Sequence, residues 1–148
     1  MTHFLEPLLR RRSVPDRLID AATGTIIADD VKTAFDSTSR RQGLLGCETW
    51  PEGRALVLAP CAAVHTCFMR FPIDVVFVDR AGRVRKVIEH LRAWRIAASP
   101  RAFAAIEMAA GSAAAAGIRP GARLAISAPA AQDVAAASGQ LSGPGQTI

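Results

Sequence analysis

The run Ile73-Asp74-Val75-Val76-Phe77-Val78-Asp79 is followed, after Arg80-Ala81-Gly82-Arg83, by Val84-Arg85-Lys86-Val87-Ile88-Glu89-His90, and this pair constrains the fold more than any other stretch. Both runs are rich in β-branched residues and the spacer holds a glycine, so they read as a β-hairpin with a longer loop. Side chains alternate along a strand, which sends Ile73, Val75 and Phe77 to one face and Asp74, Val76 and Val78 to the other. Both faces are apolar apart from one carboxylate, as in a strand at the centre of a sheet covered on both sides. Asp74 then needs hydrogen-bond partners to be tolerated there, and His65, Arg70 or backbone N–H groups near Pro72 are candidates. The second run is more polar and suits a strand with one face toward water.

The rest of the chain supplies partners for this hairpin. Its 148 residues fit one domain. Half the residues are apolar, but 29 are alanine, so the core rests on the larger aliphatic residues. Thr25 to Val31 reads as a first strand, and Ser37 or Ser39 can cap a short helix running through Gln42 to a closing Gly46. Ala55–Ala59 is a short apolar run. Ala102–Met108 fits helix or strand equally, because its alanines favour one and its period settles neither. Ser112 caps an alanine-rich turn ending at Gly117, and Ala122–Ser127 is a last strand. Residues 1–22 form an N-terminal arm, either a short helix around Arg17–Ala22 or a mobile segment. Residues 23–127 form the single β domain, and from Ala128 onward the composition is that of a disordered tail.

Charge and cysteine content narrow the function classes. Eighteen basic residues against thirteen acidic ones give a net charge of +5. The surplus is mostly arginine, and only the middle third is distinctly basic, through Arg80, Arg83, Arg85, Lys86, Arg92, Arg95 and Arg101. Solvated charges on strand faces account for these, so nucleic acid is an unlikely partner. Three cysteines cannot form a complete set of internal disulfides, which fits a reducing compartment. The first 25 residues show no leader pattern, and the longest apolar run falls far short of the roughly 20 residues of a membrane helix. The expectation is a cytoplasmic protein with no membrane span.

One cluster could carry chemistry. Cys61, His65, Cys67 and Met69 occupy odd positions within nine residues, so an extended backbone would turn all four toward one face. Thiolate, imidazole and thioether are soft ligands, suited to copper or zinc. Equally, Cys61 or Cys67 could serve as a nucleophile with His65 as its base and Asp74 as the orienting carboxylate. Buried sulfur residues also serve packing alone. The phosphate-loop, hydrolase-elbow and dinucleotide signatures are missing from the sequence, and no cofactor is implied.

Gly43-Leu44-Leu45-Gly46, Cys61, the continuous stretch His65 through Asp79, and Ala109-Ala110-Gly111-Ser112 with Gly117-Ile118 and Gly121 together resemble the domain of unknown function 192 family. The likeness spans about residues 23–127, and His65 through Asp79 is its specific part. Leu45 stands where the family commonly has methionine, and Cys67-Phe68 where many members have aromatic or small residues. The resemblance implies a mainly β fold, a small antiparallel β-barrel or sandwich with one or two short helices, and it brings no assigned activity. The expected function is a non-enzymatic binding or accessory module. Its pocket, near the His65–Asp74 segment, would use Cys61, His65, Met69 and Asp74 to hold an unidentified small molecule or protein. A thiol-dependent enzyme and a soft-metal-binding protein are the alternatives.

Overall fold

The strand Ile73–Val78 is buried at every position, on both faces, and that demands a layer on each side of its sheet. A computed structural model describing residues 3–10 and 14–139 shows both layers. In chain order the strands are β1 (Arg17–Asp20), β2 (Ile26–Ala28), β3 (Asp30–Ala34), β4 (Arg54–Leu58), β5 (Ala63–His65), β6 (Ile73–Val78), β7 (Val84–Leu91), β8 (Ile96–Ala98), β9 (Ala104–Ala109) and β10 (Leu124–Ser127). The helices are α1 (Ser37–Gln42), α2 (Ser112–Ala115) and α3 (Ala131–Gly139). A five-stranded sheet ordered β3-β4-β9-β6-β7 forms the middle layer. On one face lies the three-stranded sheet β10-β1-β2, which encloses Leu18, Val76, Val78, Ile106 and Met108. On the other lie the β5–β8 ribbon and the chain after α1, over Leu58, Ile73, Val75 and Phe77. The sheets do not close into a barrel; the fold is mainly β and sandwich-like.

Ala102–Met108, open between helix and strand in the sequence, holds all of β9 but its last residue, hydrogen-bonded to β4 on one side and β6 on the other. Pairing on both edges overrides the helical propensity of alanine, and the small side chains of Ala104 and Ala105 let the outer layers close over a strand buried from Ala104 to Met108. Thr25–Val31 divides at Asp29. Gly53 O accepts both Asp29 N–H and Asp30 N–H, and the chain passes there from the outer sheet into the middle one. β3 and β4 are parallel, so the chain between them must cross over one face. That crossover carries α1 onto the Phe77 side. Its cap is Asp36, whose carboxylate accepts the Ser39 N–H at 2.8 Å, in place of the serines proposed from sequence; the helix ends at Gly43, three residues before Gly46.

Within residues 1–22, Phe4 and Leu5 are buried in the core and Arg17–Asp20 is a strand between β10 and β2 rather than a helix. Beyond Ala128, Ala131–Gly139 is helical, and Arg17 pairs with Asp133 on it; the remainder of the expected tail, 140–148, lies outside the described residues, as do Arg11 and Arg12. No helix among the described residues is long and apolar enough to cross a membrane.

Asp74 is fully buried and satisfied by backbone alone. Opposite it β7 carries one extra residue, and the N–H of His90, whose φ is +51°, donates to Oδ1 at 2.9 Å. The N–H of Ala113 donates to Oδ2 at 2.9 Å. Ser112 is the first helical residue of α2, and its N-cap, Gly111, offers no side chain. A carboxylate on β6 therefore supplies from across the fold the acceptor that the helix lacks.

Two substitutions test this frame. Asp74→Ala strands two N–H groups and should lower stability by about 3 kcal/mol, with Asp74→Asn losing less, as read by urea denaturation. Gly82, at φ +83° in the β6–β7 loop, has space for a Cβ only 2.2 Å from Leu124 O. Gly82→Ala should cost about 3 kcal/mol or more.

Candidate functional site

Beneath the crossover that carries α1, the middle sheet is not fully covered. A cavity of about 450 Å³ opens there, walled by Gly43 and Leu44 after α1, Leu58 of β4, Cys61 before β5, His65 of β5, Met69 and Ile73. Cys61, His65 and Met69 thus share one lining, but not through one extended strand. β5 stops at His65, and the chain turns through Cys67 and Phe68 before Met69 comes back, its N–H donating to Thr66 O at 3.1 Å. The turn sends Cys67 out of the cavity lining. Asp74 does not join them either. It is paired across from Met108 on the opposite face of the middle sheet, so it cannot orient His65.

The floor holds a residue that the sequence reading passed over. Glu107 on β9 faces the cavity from the same side of the sheet as its neighbour Val75. It is 5% exposed, and its Oε2 is buried with no hydrogen-bond partner among the described residues. Burial pushes its carboxyl from the ordinary 4.5 up to about 7. A Cβ on Gly43 would stand 3.6 Å from Oε2, so the bare backbone there lies close over the carboxyl. The signal was present in Ala104-Ala-Ile-Glu-Met-Ala109: a lone carboxylate in a buried strand, as in Asp74, visible once β9 is known to be a strand.

The electrostatics disfavour a thiolate. Burial, and then the charge of Glu107, push the Cys61 thiol up, and its Sγ donates to Ala63 O at 3.1 Å. The Arg40 guanidinium beside it is engaged by the carbonyls of Phe35 and Ala59. Among the described residues no three His, Cys, Asp or Glu side chains converge as metal ligands would. Of the basic residues in the middle third, Arg85 pairs with Asp79, Lys86 donates to Ala98 O and Arg80 lies over the Phe103 ring.

Comparison with known proteins places the fold. The model of the DUF192 family, described as an uncharacterized ACR, matches residues 19–126. A crystal structure of a protein of unknown function from Novosphingobium aromaticivorans superposes with a TM-score of 0.64 at 19% identity, covering 74% of this chain and 82% of that one. A second, from Sinorhizobium meliloti 1021 and described as a "putative transcription regulator", gives 0.66 at 23% identity, with 79% and 98% covered. At these identities the likeness is one of fold. No curated protein matches the chain.

Glu107 makes stability depend on pH with a definite sign. The folded state holds its proton up to about pH 7 and the unfolded chain only to about 4.5, so stability should fall as pH rises through that window and then level off. The expected loss is on the order of 3 kcal/mol. Asp30, Asp36 and Asp79, held below the ordinary carboxylate value, act at lower pH. Urea denaturation at pH 5 and pH 8 should show the fall in the wild type and its loss in Glu107→Gln.

Proposed function

The chain belongs to the DUF192 family, a family of unknown function, and we propose that this member is a binding module for a small molecule with an apolar body and a protonated amine. One observation carries the proposal: a buried carboxyl in the lining of an open cavity, with one oxygen that has no hydrogen-bond partner among the described residues. Leaving a buried acceptor unpaired costs free energy, and a ligand that donates to Glu107 recovers it. A cationic donor recovers more, because it also stabilises the ionised carboxylate that burial disfavours. The size of the cavity lies in the range of small-molecule sites, and its walls supply the apolar complement through Leu44, Leu58, Ile73 and the adaptable thioether of Met69. His65 and Cys61 line it as hydrogen-bonding groups, and the exposed Arg41, also in the lining, can meet an anionic substituent. Asp74 in this reading is a structural residue. The thiol-enzyme alternative would need Asp74 beside His65, and Asp74 lies on the other face of the sheet; for the soft-metal alternative, no three His, Cys, Asp or Glu side chains converge among the described residues.

Isoamylamine and isovalerate share one branched skeleton and differ in the charged end. By calorimetry, isoamylamine should bind and isovalerate should not. Amine affinity should rise roughly tenfold from pH 6 to pH 8 as the carboxyl ionises. Glu107→Gln should remove both the binding and its pH dependence while the fold persists. Equal binding of the two probes, or of isoamylamine by wild type and Glu107→Gln, would exclude the assigned role of Glu107.

A further inference from the structure

We propose that the loops joining β5 to β6 and β7 to β8 form a docking tip for the surface of an anionic lipid bilayer. Three large apolar side chains project there into solvent: Phe68 is 72% exposed, Trp94 59% and Ile96 78%. The rings of Phe68 and Trp94 pack against each other with centroids 4.5 Å apart, and Ile96 sits opposite His65 in the β5–β8 ribbon. Both aromatic residues have left-handed backbone, with φ of +66° and +61°. Bulky side chains rarely adopt that conformation, and it persists only where the surroundings enforce it.

Thr66, 1% exposed, enforces it here. Its N–H donates to Arg95 O and its carbonyl accepts the N–H groups of Met69 and Trp94. Its hydroxyl donates to Arg92 O at 2.5 Å and accepts the Arg95 N–H at 2.9 Å. One side chain thereby bolts the two loops together and fixes the aromatic pair outward.

The shape and charge of the tip select the occupant. The apolar groups stand proud of the surface and do not line a groove, so they suit insertion into a yielding medium more than fitting a protein pocket. Arg92 and Arg95 are exposed around them, and the exposed Arg70 is paired with Glu48 at 3.4 Å. Tryptophan with flanking arginine is the chemistry of a bilayer interface, where the ring sits at headgroup level and guanidinium meets lipid phosphate. A nucleic-acid stacking platform would need open ring faces, and these two rings, tilted 59° to each other with centroids 4.5 Å apart, already have each other as partner. This proposal does not depend on a ligand in the cavity.

The test is sedimentation of the full chain with vesicles of phosphatidylcholine alone or mixed equally with phosphatidylglycerol. Binding should be at least roughly tenfold tighter to the mixed vesicles and should weaken as salt is added. Trp94 emission should shift to the blue on binding. Phe68→Asn combined with Trp94→Asn removes the apolar tip with residues that tolerate left-handed backbone, so the fold should persist, and binding should drop at least roughly tenfold with loss of the emission shift. Arg92→Gln combined with Arg95→Gln should abolish the preference for anionic vesicles. Undiminished binding by the asparagine double variant overturns the proposal. So does a wild type that ignores vesicles but binds poly-glutamate, or one that self-associates through the tip instead.

Discussion

Desolvation of charge governs this molecule. The centre of the middle sheet is buried, yet two of its strands each carry a carboxylate, Asp74 on β6 and Glu107 on β9, at neighbouring registers but pointing to opposite sides. Asp74 is ringed by N–H donors and so helps hold together the bulge in β7 and the start of α2. Glu107 Oε2 has no donor among the described residues, and burial raises the proton affinity of its carboxyl. One backbone position separates a carboxylate that serves the architecture from one that leaves unsatisfied acceptor capacity facing a solvent-open hollow.

The layers above each face explain the difference. On the Asp74 side, the three-stranded sheet and α2 press backbone N–H groups against the middle sheet. On the Glu107 side, the parallel pairing of β3 and β4 obliges the chain to cross over, and the crossover brings only the short α1 and the apolar Leu44. A short helix and a two-stranded ribbon cannot cover a five-stranded sheet. The uncovered part is the cavity.

How much of this could be read from the residues depended on whether the deciding contact was local. Ile73–Val78 announced its central place because both of its faces are apolar. Asp74 announced a need for partners, but those partners, His90 and Ala113, lie 16 and 39 residues away and could not be guessed. β9 was obscured by alanine, whose helical propensity competes with a sheet position that only tertiary pairing reveals. That ambiguity hid Glu107 in turn. The grouping of Cys61, His65 and Met69 comes from a tight turn and not from alternation along one strand, which is why Cys67 falls elsewhere, while alternation along β6 puts Asp74 on the other face of the sheet.

The walls of the hollow come from segments between Ser37 and Glu107, and the β4–β9 pairing that sets its floor joins residues about fifty positions apart. Long-range pairings of this kind form late, after the entropy of closing large loops has been overcome. A chain in which only the hairpin and its local turns have formed therefore has no hollow at all. Anything held there would discriminate complete from partial folding, and by mass action would protect the finished molecule alone from unfolding.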